Sequence, residues 1–313
     1  MRAASVTQIF MEFSYRSVPL LYGKALREQR LSTNTGGMKT AQFWLLFGAL
    51  TPSVSLAETT IATSTVASMP ADAEDWTFLP VARRPFGILP SDPRDLHLGL
   101  RKNNKRELEA DVAGYRSLVA WSDGNLVAHA GIEGAAYFDM RQEGSKFPLN
   151  SSDGLVGIYG EAARGEWAWQ ARYTHISAHI ADGLFGVRAP FVYTREFLAL
   201  RAAYSLGWLR PYAGYQLLTH TAPDVPRHSL ELGAYAILPA HWGPAHPYLG
   251  GDLRVRGARE GTTYQLSAGA AFLSRVDVAP VRLTASYLKG HDLRGQFFEE
   301  TTEKWSFGLD LDL

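Results

Sequence analysis

The chain has no cysteine, which excludes disulfides and thiolate metal sites. It has no net charge, because 31 Lys and Arg offset 31 Asp and Glu. That removes the electrostatic attraction on which nucleic-acid binding relies, so no nucleic-acid partner is expected. It also lacks any apolar run of the roughly 20 residues needed by a spanning helix. With near-neutral mean hydropathy, a helical membrane protein is excluded. The 313 residues leave room for one large domain or two ordinary ones.

What is present begins with a leader. Met38-Lys39-Thr40 precedes the apolar Ala41–Leu50, and Ser55 and Ala57 are small. A basic start, a short apolar run and small residues make a secretory signal over residues 38–57, cleaved after Ala57. Residues 1–37 then read as an upstream extension from an over-long gene start. Residues 58–75 are rich in Thr, Ser and Ala. They open a flexible N-terminal segment, 58–94, on the periplasmic side. From Trp76 to Arg94 that segment is broken by Pro80, Pro85, Pro90 and Pro93. It shows no periodicity and is expected to cross or plug the periplasmic side.

Residues 95–313 alternate almost without pause. Leu249, Gly251, Leu253 and Val255 oppose Tyr248, Gly250, Asp252 and Arg254; Trp305, Phe307, Leu309 and Leu311 oppose Ser306, Gly308, Asp310 and Asp312. A period of two means strands. About twelve such segments of roughly ten residues follow one another. A soluble sandwich also alternates, but with strands of about five or six residues. Connections that are short near Asp123, Gly165 and Gly207 and long over 140–153, 181–195 and 289–304 alternate, as periplasmic turns and external loops do. Trp121, Trp167, Trp169, Trp208 and Trp242 lie beside the short turns, where one interfacial ring would gather them. The expected fold is an all-β, closed antiparallel transmembrane barrel of about twelve strands. Its expected place is the outer membrane of a Gram-negative bacterium. Its inward positions, among them Glu133, Glu161, Arg201, Glu231 and Arg282, carry mixed charges. A self-neutralising ion-pair network is favoured over a solute pathway, because a selective pore shows rings of one sign.

One segment invites chemistry. In Trp167–His179 the odd positions run Trp167, Trp169, Ala171, Tyr173, His175, Ser177, His179. They share the outward face, with the histidines toward the external rim. A histidine there is costly without a partner or a task. His175 and Ser177, two apart, can act as general base and nucleophile. Glu196 starts the next strand on the outward face and suits the acid that orients the imidazole; Asp182 is the alternative. His179, Asp182 and Arg172 are the candidate substrate contacts. The competing reading is that these polar residues only mark the headgroup interface. His175 and His179 lie too far apart on a strand to share zinc, so no metal site is assigned. No cofactor is required, and calcium is not excluded.

His175-Ile-Ser-Ala-His-Ile-Ala-Asp182, Leu89-Pro-Ser-Asp-Pro-Arg94 and Tyr287-Leu-Lys-Gly290 with Gly295-Gln-Phe-Phe298 resemble, in order, the motifs of a Gram-negative outer-membrane family. That family is known as domain of unknown function 1207. The resemblance covers roughly residues 76–313 and implies a barrel without an assigned activity. Ala178, Ala181 and Gly183 depart from its usual Ser, Gly and Glu. More distantly, His175 and Ser177 are similar to the His-x-Ser pair of outer-membrane phospholipase A and the lipid A deacylases. Those enzymes usually have Asn where this chain has Ala178. That resemblance implies hydrolysis of lipid acyl esters and a lipid partner, lipopolysaccharide or phospholipid. The alternating C-terminal strand ending at Leu313 resembles the signal read by the barrel assembly machinery, an expected partner, although that signal usually ends in an aromatic residue. A non-enzymatic structural, assembly or transport barrel is the alternative.

Overall fold

The computed structural model describes residues 75–273 and 280–312. The expected leader, the upstream extension and residues 58–74 lie outside the described residues. Side-chain alternation builds one antiparallel sheet from β1 (Asp75–Phe78), β2 (Leu98–Asn103), β3 (Glu107–Ser122), β4 (Leu126–Arg141), β5 (Leu149–Arg164), β6 (Trp167–Ile180), β7 (Tyr193–Tyr204), β8 (Leu209–Ala222), β9 (His228–Ile237), β10 (Ala245–Val255), β11 (Thr262–Phe272), β12 (Val281–His291) and β13 (Thr301–Leu311). From β2 onward each strand pairs with its chain neighbour, and β13 returns to β2 with Leu309 opposite Leu100. Strands β2–β13 therefore close a twelve-stranded barrel. Closure gives every strand of the barrel a neighbour on both sides, as an apolar medium requires, although among the described residues Val112–Ser117 of β3 pair on the β4 side only. β2 is short and pairs only with Leu108–Asp111 of β3. β1 covers the other end of β3, Asp75 opposite Ser122 through Phe78 opposite Val119.

The greasy positions face out. Leu200, Leu230, Leu232, Leu249, Leu266, Phe307 and Leu309 are exposed on the barrel wall, the surface a bilayer would cover. At the short-turn end Trp167 stacks on Trp169 at 6.2 Å and tilts against Tyr204 at 4.8 Å. The two-residue turn there uses Gly165 at φ +55°, a conformation costly for residues with a Cβ. The external connections are shorter than their spacing suggests, spanning 142–148, 181–192 and 292–300. Strands β3, β4 and β5 run 16 residues each, because hairpin pairing continues past the apolar band with polar side chains such as Asp139, Ser151 and Asp153.

Residues from before β2 enter the lumen. Residues 79–97, the proline-rich stretch, run deeper than a periplasmic cap. Phe86 and Leu89 are fully buried on Ala168, Ala203 and Tyr212 of the wall. Arg84 pairs with Glu161 and sits 3.5 Å from Glu133. Asp92 receives Arg201 at 2.7 Å and also Arg254. Arg94 reaches Asp153 and donates to the Leu293 carbonyl at 2.6 Å, near the external end. One short stretch thus ties together β4, β5, β7, β8 and β10. The wall adds its own pairs, including Arg201 with Glu231 at 2.9 Å and Arg282 with Asp312 at 2.5 Å. The mixed inward charges form a connected network.

Candidate functional site

The outward face of β6 carries the site. Its even residues, Ala168, Gln170, Arg172, Thr174 and Ala178, are buried toward the lumen; its odd residues are outside. β7 runs antiparallel beside it and puts Glu196 directly opposite His175. Opposite residues bring their Cβ atoms to roughly 5 Å, and His175 Nδ1 lies 3.6 Å from Glu196 Oε1. Both side chains are close to half exposed, at 45% and 40%. The carboxylate is itself held: Tyr173 Oη donates to Glu196 Oε2 at 3.1 Å. Thr219 Oγ1 donates to the Glu196 carbonyl at 3.1 Å.

Thr219 is there because of a bulge. In the β7–β8 pairing Glu196 faces His220, but Phe197 faces Leu218. One extra residue turns both Thr219 and His220 outward, next to Glu196. Sequence parity could not show this, since a bulge shifts register without any change of residue type. Tyr173 was visible on the outward face but not as a partner of Glu196.

Ser177 lies on the same face, opposite Gly154 on β5 and Thr194 on β7. Among the described residues no hydrogen bond joins its hydroxyl to His175. His179 is exposed further up the strand, opposite Ser152. Asp182 begins a single 3-10 turn, Asp182–Leu184, in the external loop, with no hydrogen bond or ion pair to His175 among the described residues. Arg172 is corrected: its Nε donates to Glu133 at 2.5 Å, and it sits 3.8 Å from Asp95, inside the barrel. Its even position puts the wall between it and anything bound at His175.

Two groups of acids in the lumen lie close enough to hold an ion, Asp92 with Glu231 and Asp252, and Glu107 with Glu109 and Asp139. Both already have cationic partners, Arg201 and Arg254 for the first, Arg294 and Lys304 for the second. Burial alone would raise the Asp92 carboxyl, but Arg254 and Arg201 outweigh it and hold the group well below the usual carboxylate range.

Comparison with known proteins adds a family. The family described as "Protein of unknown function (DUF1207)" matches residues 106–312. No curated protein matches the sequence. Among solved structures, outer membrane phospholipase A from Escherichia coli is 14% identical, with a TM-score of 0.48 covering 79% of this chain and 97% of that one. The Salmonella typhi outer membrane phospholipase dimer with bound calcium is 13% identical, at a TM-score of 0.47 over 71% and 94%. The β domain of the Bordetella autotransporter Brka is 12% identical, at 0.43 over 70% and 97%. Such likenesses concern the barrel and say nothing of individual residues.

Proposed function

Because this chain belongs to the DUF1207 family, whose description names no activity, we propose from its own residues that it is an outer-membrane lipid acyl-ester hydrolase working at the outer leaflet. The observation that carries the reading is the His175–Glu196 pair at 3.6 Å on the lipid-facing wall, with Ser177 one step along the same face. A half-exposed imidazole and carboxylate sit on the outward wall, which carries Leu, Val and aromatic side chains elsewhere and here also Ser177, Thr219 and His220. Such groups are expensive against lipid unless they are used.

Glu196 faces Nδ1 and leaves Nε2 free for chemistry. A turn of the Ser177 side chain brings its hydroxyl to the imidazole, a contact that often tightens only with substrate in place. Ser177 Oγ attacks the ester carbonyl carbon as its proton passes to His175 Nε2. The tetrahedral intermediate collapses by breaking the ester C–O bond, and Nε2 returns the proton to the departing alcohol. Water, activated by the same imidazole, then cleaves the acyl-serine and releases the fatty acid. Glu196 holds the ring and balances the imidazolium. Ser177 is paired on both sides, so its amide serves the sheet. The oxyanion donor falls to the 181–192 loop or to water.

Transport is the poorer reading, since Arg84, Asp92 and Arg94 tie residues 79–97 across the lumen. The deciding experiment incubates the refolded barrel with phosphatidylethanolamine vesicles or lipopolysaccharide and follows released fatty acid by mass spectrometry. Ser177→Ala is expected to lower release by at least about 10³-fold while keeping the heat-modifiable migration of a folded barrel. Equal release from Ser177→Ala and unaltered protein would end the proposal.

A further inference from the structure

Near the external mouth of the lumen, two arginines share one acid. Arg195 on β7 points inward, and Arg256 follows the end of β10. Glu260, in the loop between β10 and β11, accepts from Arg195 Nη1 at 2.5 Å and lies 3.6 Å from Arg256 Nη1. Exposures are 7%, 12% and 1%. The three groups together carry one uncompensated positive charge in a buried place. Arg256 Nη2 spends its protons on Thr263 Oγ1 at 2.7 Å and the His291 carbonyl at 3.4 Å. Among the described residues, Nε and Nη2 of Arg195 and Nε of Arg256 are buried with no acceptor.

Stacking accounts for only part of this. The Arg195 guanidinium lies 4.6 Å from the Tyr193 ring centre and 5.2 Å from that of Phe298. Ring faces attract the charge but leave the in-plane N–H groups unanswered, and a buried donor without an acceptor costs about 1–3 kcal/mol. Burial also pulls the Arg256 guanidinium down to about 10, which Glu260 does not offset. Arg195 and Arg256 border one cavity, together with Gln216 and Ser229. Arg201 and Arg254 border it too but are engaged by Asp92 and Glu231.

We propose that this cavity is a binding site for a small soluble oxyanion of the phosphate class, taken up from the external side. Arg195 and Arg256 both border the cavity, and the Nε and Nη2 edge of Arg195, which has no acceptor, is the side of the guanidinium fork that receives two oxygens at once. Tyr193 borders the cavity, and Arg195 and Arg256 are themselves mostly buried, where each charge-assisted bond counts for more than in water. The site lies inside the wall and is independent of the chemistry at Ser177.

The test is isothermal titration of the whole refolded barrel, in phosphate-free detergent, with inorganic phosphate. One saturable site is expected. Arg195→Gln should weaken it at least tenfold, and Arg256→Lys serves the same comparison if the first variant does not fold. Glu260→Gln removes the competing carboxylate and should tighten binding about tenfold. No saturable binding to the unaltered protein, or unchanged affinity in the arginine variant that folds, would overturn the proposal. So would weaker binding in Glu260→Gln. Binding of a short-chain phosphatidic acid but not of the free ion would overturn it as well, by moving the site to the lipid-facing wall.

Discussion

At the residue scale, the outward pair of His175 and Glu196 is the feature with consequences. The pair lies on the outer wall with both side chains close to half exposed and outside the packed lumen, so losing it should leave the barrel standing. Under the proposed mechanism its loss is felt in rate. Glu196→Gln keeps the shape but cannot balance the imidazolium, and acyl release is expected to fall by about 10²–10⁴-fold, measured on the same vesicles with heat-modifiable migration unchanged. A rate equal to that of the unaltered protein would mean that Glu196 does not act on the imidazole. Alternation alone shows His175 and Ser177 outward, because parity on a strand is local. It also puts Arg172 inside, against a role as substrate contact. The closeness of Glu196 to His175 needed the register across the 181–192 loop, and Thr219 needed the bulge.

At the element scale, the stretch 79–97 acts as an internal strut. Its charges make no sense locally: Arg84, Asp92, Arg94 and Asp95 lie among prolines with no period. Their partners, Glu161, Arg201, Arg254, Asp153 and Arg172, are scattered over four strands. Asp92→Asn removes a buried carboxylate between two guanidinium groups. Breaking a buried pair from one side costs about 3–5 kcal/mol, and the midpoint of urea unfolding in detergent should fall accordingly. A midpoint within error of the unaltered protein would show that the strut bears no load. The external loop before β13 behaves similarly. Its Gln296 donates to the Ala178 carbonyl at 2.8 Å, and Phe298 is buried on Tyr193 and Leu218, so a loop that reads as surface chain is seated in the mouth.

At the scale of the whole molecule, orientation of the wall governs everything. Leu232 is 54% exposed in β9, while its neighbour Glu231 is paired inside with Arg201 and Arg254. Leu232→Arg should cost about 2–4 kcal/mol if that position lies near the bilayer midplane, read as a loss of equilibrium folding into lipid vesicles. A change of a few tenths would mean that Leu232 does not face hydrocarbon.

The pattern of residues by itself determined the barrel, its approximate strand number, the tryptophan-bearing turns and the outward placement of His175 and Ser177. All of these follow from a period of two and from turn chemistry, which act between near neighbours in the chain. Only the tertiary structure decided that Glu196 meets the imidazole, that residues 79–97 occupy the lumen, and that Arg195 and Arg256 converge on Glu260. Those depend on strand register and on the closure of the cylinder. These join residues far apart in the chain, such as Asp92 and Arg254 at 162 positions, and leave no periodic mark on either partner.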